Sequence, residues 1–231
     1  MMKFFPDSYA KYDHFPSRES QKALQKIQFK NTLSKEKQVL EIGCGTGYFA
    51  QKFLLPSCQP CRRLVVTDVQ PEMVDFGRQN FCHSDIVHDV LDIASPNLDT
   101  FLDKYGRFDR IFSFLSFHMI HPVNVAYANV AKLLNEGGEC LITALSSFDI
   151  VDVWAEVCET DAWRGRIPDP RKIANETFNF NSVKSAAQVE AEVRNKLRGT
   201  GLECISCEVY DSTWKYDDID SLLGEHRFMK S

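Results

Sequence analysis

A doubly wound, mostly parallel α/β sheet is the architecture this sequence predicts. Short apolar runs alternate with helix-forming stretches, no repeat or Pro/Gly/Ser linker interrupts them, and a glycine-rich turn closes the first run. At 231 residues, 44% of them apolar and 12% aromatic, the chain is long enough to bury a substantial core and fits one domain, residues 1–231. Within it, 1–37 reads as a helical segment covering the site mouth. Residues 38–145 form the core of the sheet, and 146–231 an outer lid, a helix and a last strand.

The strands follow in order. QVLEIG (38–43) is the first and RLVVTDV (63–69) the second, each a buried-strand run rather than an alternating one. DIVHDVLDI (85–93) is a weaker third, RIFSF (110–114) the fourth and ECLITAL (139–145) the fifth. ECISCEVY (203–210) reads as a last strand. The helix before it is expected to start at a capping box of Ser185 and Gln188 and to stop at Gly199 and Gly201. Pro71 suits the first turn of the helix PEMVDFGRQN, and SRESQKALQKIQFKNTL (17–33) has helical composition.

Charge and targeting narrow the function. Lys and Arg number 27 against 32 acids, a net charge of −5, so no general basic surface advertises nucleic-acid binding. The start, MMKFFPDSYAKYDHF, lacks a signal-peptide core, and no stretch approaches the ~18 apolar residues of a membrane span. The expectation is a soluble, cytoplasmic protein with no membrane span. Eight cysteines include two pairs of ligand-like spacing, Cys58/Cys61 and Cys204/Cys207. The pairs are far apart in sequence, and residues three apart on a strand face opposite ways, which favours ordinary thiols over a metal site.

The turn Glu41-Ile42-Gly43-Cys44-Gly45-Thr46-Gly47 carries the chemistry. Ligands of open sheets bind beyond the carboxyl ends of the strands, and glycines there let a ligand approach the backbone while the chain turns into a helix. A phosphate-cradling loop needs GK after its glycine run, and Tyr48 follows Gly47. A dinucleotide turn survives only in the looser GxGxxA form ending at Ala50, which keeps a nicotinamide oxidoreductase as an alternative. An acid two residues before an alternating GxGxG resembles the first motif of class I S-adenosylmethionine (SAM) methyltransferases, whose Rossmann-like fold is the architecture predicted above. SAM carries an ammonium and a sulfonium and no pyrophosphate, so an acid beside the turn suits it. Asp68, with Val69, ends strand two about twenty residues on, where a carboxylate accepts ribose hydroxyls. The resemblance places Asp92 and Ile93 at the adenine, and LLNEGGECLIT matches the family's glycine pair before strand five. Glu41, Gly43, Cys44, Gly45, Gly47, Asp68, Val69, Asp92 and Ile93 are the candidate cofactor residues.

Over most of its length the chain resembles the arthropod juvenile hormone acid methyltransferase family. The matching stretches are SYAKY, VTDVQPEMVDFGRQN, VLDI, FDRIFSFLSFHMI, LLNEGGECLITAL, DIVDVWAEVCETDAW and WKYDDIDSL. The resemblance implies O-methylation of the carboxylate of a small apolar acid, sesquiterpenoid or fatty. A carboxylate is ionised near neutral pH and needs no general base. Phe117, Met119, Phe148, Trp154 and Trp163 are candidates for an apolar acceptor pocket, and His118 for a positioning group. Two departures stand out. Met119 replaces the tryptophan that follows His118 in the family, and Pro16 stands where a carboxylate-binding glutamine is expected, with Gln21 nearby. The stretch SLLGEHRFMKS supplies no final antiparallel strand, which keeps a non-catalytic or shortened SAM-binding form as a further alternative.

Overall fold

The computed structural model of the chain describes residues 5–178, 185–213 and 215. Two short N-terminal helices, α1 (Pro6–Tyr9) and α2 (His14–Lys26), precede the sheet. Five strands follow: β1 (Gln38–Ile42), β2 (Arg63–Asp68), β3 (Ile86–Val90), β4 (Phe108–Ser113) and β5 (Leu134–Ile142). All pairings are parallel and the order is β3-β2-β1-β4-β5. The order reverses between β1 and β4, so their carboxyl ends open the crevice in which such sheets bind ligands.

Connecting helices cover both faces, which is why β1 is buried at every position and β2 at every position after Arg63. On one face Leu40, Ile42, Val65 and Ile111 pack with Phe101 and Tyr105 of α5 (Asp99–Tyr105) and with Ala126, Val130 and Leu133 of α6 (Val123–Leu133). On the other, Val39, Leu64, Val66, Ile86 and Phe112 meet Phe49, Leu54 and Cys58. The helical stretch after the glycine turn widens to a π-helix over Ala50–Leu54 before α3 (Leu55–Cys58). There the Leu55 N–H reaches back to the Ala50 carbonyl. Pro56 in the next turn has no N–H to donate, and the wider turn relieves its ring of the carbonyl four residues back. Pro71 opens α4 (Pro71–Asn80) as its fixed φ predicts.

The first five strand predictions hold with shortened C-terminal ends; β4 starts earlier, at Phe108, and β5, which starts at Leu134, begins its continuous pairing at Glu139. Before it, residues 135–138 bulge out of register, with Gly137 at φ +70°. α7 (Ile150–Glu159) and α8 (Pro170–Thr177) pack on each other, and α9 (Ala186–Leu197) starts at the capping box of Ser185 and Gln188. Gly199 and Gly201 follow it at φ +75° and +91°.

Two expectations are corrected. Residues 203–210 form no strand: their backbone is held by side chains, Arg194 donating to the Cys204 carbonyl at 2.9 Å. Lys26 pairs with Glu208 at 3.2 Å and covers the Tyr210 ring, and Arg18 donates to the Thr213 carbonyl at 2.8 Å. The helical reading of 17–33 also runs too far, because α2 ends at Lys26. The Glu139 carboxylate takes the backbone N–H groups of Lys30 and Asn31, while Arg110 stacks 3.8 Å from the Phe29 ring and donates to the Asn31 carbonyl. Tertiary contacts thus claim the donors and acceptors that a longer helix would use. WKYDDIDSL and SLLGEHRFMKS fall on or run into residues outside the described ones.

Phe112, 1% exposed, meets Phe29 edge-on at 5.6 Å and stacks on Phe114 at 5.8 Å. Phe112→Ala is expected to cost about 3–5 kcal/mol in denaturant unfolding, the range for a truncated core aromatic. Val153→Ser, at a residue 52% exposed, is expected to stay within about 0.5 kcal/mol.

Candidate functional site

The glycine turn sits where the fold puts a ligand. Gly43, Gly45 and Gly47 have φ of +72°, +57° and +82°, which L side chains rarely adopt. Space excludes a side chain as well: a Cβ on Gly43 would lie 2.5 Å from Cβ and Oγ of Ser116, in the loop after β4. One on Gly45 would lie 3.1 Å from the Tyr9 ring, so the N-terminal segment reaches over the turn. The Gly43 and Cys44 N–H groups donate to the Thr67 carbonyl at 2.8 and 2.9 Å, tying the turn to β2. Ser113 Oγ donates to the Ile42 carbonyl at 2.9 Å and lies 2.6 Å from Ser116 Oγ, tying it to β4.

Two carboxylates flank the turn on one face of the sheet. Asp68 accepts from the Gly45 N–H at 3.0 Å and from the Gln70 N–H at 2.9 Å. Burial nonetheless pushes its pKa up, outweighing those donors. Glu41 is 2% exposed, and its Oε2 has no hydrogen-bond partner among the described residues. Burial, with Asp68 adding to it, pushes the Glu41 carboxyl up to about 8. An acid left this way is a place for a cation to enter.

A family model described as a methyltransferase domain matches residues 40–140, which contain the turn, both carboxylates and the loop after β4. Residues 40–140 carry a methyltransferase domain, and the sheet around them has the fold of the class I SAM-dependent methyltransferases. Juvenile hormone acid O-methyltransferase of Bombyx mori is 26% identical over 220 residues, 94% of this chain and 75% of that protein. Its Drosophila melanogaster counterpart is 31% identical over 130 residues, 55% of this chain and 43% of that protein. Malonyl-[acyl-carrier protein] O-methyltransferase of Anoxybacillus flavithermus is 29% identical over 143 residues, 62% of this chain and 51% of that protein. The chain thus spans about half the length of the last two relatives. Among solved structures, a chain of the complex between the Haloferax volcanii Trm112 methyltransferase activator and a methyltransferase superposes with a TM-score of 0.58 at 15% identity. The superposition covers 99% of this chain and 95% of that one. The methyltransferase match overturns the nicotinamide alternative.

The methyltransferase turn fits SAM on its own geometry. The three glycines leave a cradle without Cβ atoms, and the unpartnered Glu41 Oε2 offers a buried anion for the ammonium. Asp68, at the end of β2, suits the ribose hydroxyls. Cys44 lies half-buried in the turn, its thiol pushed up by burial and by Asp68 and Glu41, so it stays protonated. Val69 is half-buried beside Asp68. Asp92 is exposed beyond β3, where Oδ1 accepts from the Ala94 N–H at 2.9 Å, and Ile93 is packed in the core with its carbonyl bonded to Asn129.

The acceptor-side candidates are less gathered. Phe117 is 1% exposed and stacks toward Tyr127, so it is core. Met119 and Phe148 are half-buried, whereas Trp154 and Trp163 are 40% and 46% exposed. His118 is buried, its pKa pushed down to about 4, and Nδ1 accepts from the Leu145 N–H at 3.4 Å. A neutral ring whose Nδ1 lone pair is taken carries its proton on Nε2 and suits orientation rather than proton abstraction. Among the described residues no group of three or more metal-capable side chains forms. Cys58 and Cys61 lie in the core, away from Cys204 and Cys207 beside Arg194. What sequence reading missed is Ser116, whose contact with Gly43 no motif announces.

Two outcomes test the site. Gly43→Ala is expected to weaken SAM binding at least tenfold by calorimetry, because both φ and Ser116 oppose a Cβ. In the ligand-free protein Glu41 keeps its proton up to about pH 8, while the unfolded chain releases it near the ordinary 4.5. The folded state therefore binds more protons in that window, and stability falls as pH rises from 4.5 toward 8. Glu41→Gln is expected to flatten this slope in melting temperature while weakening SAM binding.

Proposed function

We propose that this methyltransferase domain methylates the carboxylate of a small apolar acid, sesquiterpenoid or fatty. The observation that carries the proposal is that relatives in both groups are O-methyltransferases of acids, juvenile hormone acid and the malonyl group of a carrier protein. SAM, when bound, supplies an electrophilic methyl group on its sulfonium. The chain's part is placement. Glu41 would receive the ammonium, Asp68 would hold the ribose hydroxyls, and the glycine turn would let the cofactor lie close to the backbone.

The carboxylate acceptor arrives already ionised, so no side chain has to remove a proton. The buried, neutral His118 accords with that, because no base is required of it. Met119 offers no donor to the acceptor carboxylate where the family has an indole N–H, and a thioether there favours apolar contact.

The deciding experiment incubates the purified protein with SAM and a panel of sesquiterpenoid acids, fatty acids, a malonyl thioester, amines and phenols, with methyl products read by mass spectrometry. A methyl ester of an apolar acid is the expected product. Methylation of an amine or phenol in preference to every acid would sink the carboxylate reading and leave the methyltransferase intact. SAM binding without any transfer would favour a non-catalytic form.

A further inference from the structure

His88 stands on β3 opposite Val66, which in turn pairs with Glu41, so it shares a lateral row and a sheet face with the carboxylate of the turn. It is 8% exposed, and its Nε2 makes no hydrogen bond among the described residues. The ring fills the gap between two backbones. A Cβ on Gly77 of α4 would lie 2.8 Å from its Cδ2, 2.9 Å from its Nε2 and 3.0 Å from the Thr46 carbonyl. A Cβ on Gly47 would lie 3.0 Å from the same Nε2. Both glycines are therefore places where a backbone must approach one imidazole, and Gly77, in a helix interior, costs helix propensity to provide it.

The ring is held from behind as well. Arg78 donates to the His88 carbonyl through Nε at 3.3 Å and Nη2 at 3.0 Å, and pairs with Asp75 at 2.8 Å and with Asp89 at 3.8 Å. Asp89 in turn takes Lys104 and the Tyr105 hydroxyl. Burial and the Arg78 charge push the His88 pKa down, so the wedge is uncharged.

We propose that His88 is a positioning residue for SAM: wedged between Gly77 and Gly47, its ring sets the spacing between α4 and the glycine turn, and so the place where the turn's backbone meets the cofactor. This rests on the turn being the cofactor loop.

The test is calorimetric titration of SAM and its demethylated product into five variants, beside the melting temperature of each ligand-free protein. His88→Ala is expected to weaken SAM binding roughly tenfold, and His88→Phe, a ring of similar width without the orphan nitrogen, to restore it to within about threefold. Gly77→Ala is expected to weaken binding in the parent protein but to add less in the His88→Ala background, where the imidazole is gone and only the 3.0 Å approach to the Thr46 carbonyl remains. Should His88→Ala fail to fold, His88→Gln against His88→Phe reads the same contrast. Lowered melting temperature with unchanged SAM affinity in the His88 and Gly77 variants would overturn the wedge. Asp68→Ala separates the two readings. If it weakens SAM binding and the His88 variants do not, the wedge alone is wrong. If Asp68→Ala changes nothing either, the site assignment itself fails.

Discussion

The structure turns on the close approach of two loops at the point where strand order reverses. Ser116, after β4, stands where a Cβ of Gly43 would be, and Ser113 joins it in closing on the Ile42 carbonyl. A side chain at position 43 would have to push β4's loop outward, and with it the parallel pairing of Val39–Glu41 with Arg110–Phe112. The cradle and the sheet's central pairing are therefore one object. Leu115, at φ +49° without being glycine, lies in the same loop, where sparsely populated backbone tends to be tolerated for what it positions.

That packing creates an electrostatic problem which the chain's own donors solve only partly. Glu41 and Asp68 both sit on the α3 and α4 side of the sheet, both pushed up by burial, and Asp68 adds to the cost of ionising Glu41. Asp68 is offset by two backbone donors, but Glu41 Oε2 has none among the described residues. Glu41 meets that cost by holding its proton, which a cation brought beside it would displace. A group that destabilises the unliganded fold in this way supplies part of the differential interaction by which ligand binding stabilises it.

Much of the sheet was legible because its strands are buried on both faces and read as mainly apolar runs ending in glycine or an acid, as in VLEIG and LVVTD. The turn was legible because positive φ at alternating positions leaves few residue types. The run 203–210 has strand composition yet no strand, because composition reports how a residue fits a pleated surface, not whether an edge accepts it. Here Arg194, Lys26 and Arg18 hold that segment instead. The tryptophans of 154 and 163 looked like pocket residues by type, and their exposure depends on packing between α7 and α8 that no local pattern encodes. His88 gave no signal at all, since a lone histidine in a strand matters only through two glycines far from it in sequence.

The distribution of burial explains why the cofactor reads clearly and the acceptor does not. Around the turn, backbone is fixed by backbone: Gly43 and Cys44 to Thr67, Leu115 to Thr143, Thr143 to Ser113. The layer of α7 and α8 is held more lightly, α7 burying only Ala155 and α8 only Pro170 and Ala174. Substitutions on the exposed positions of α7 and α8 therefore disturb few core contacts and cost little stability. The match to a methyltransferase domain ends at residue 140, before that layer begins. The contacts around the turn are thus ones the sheet cannot relinquish, whereas those of α7 and α8 are ones it can do without, and only the first are constrained enough to be read from residue types.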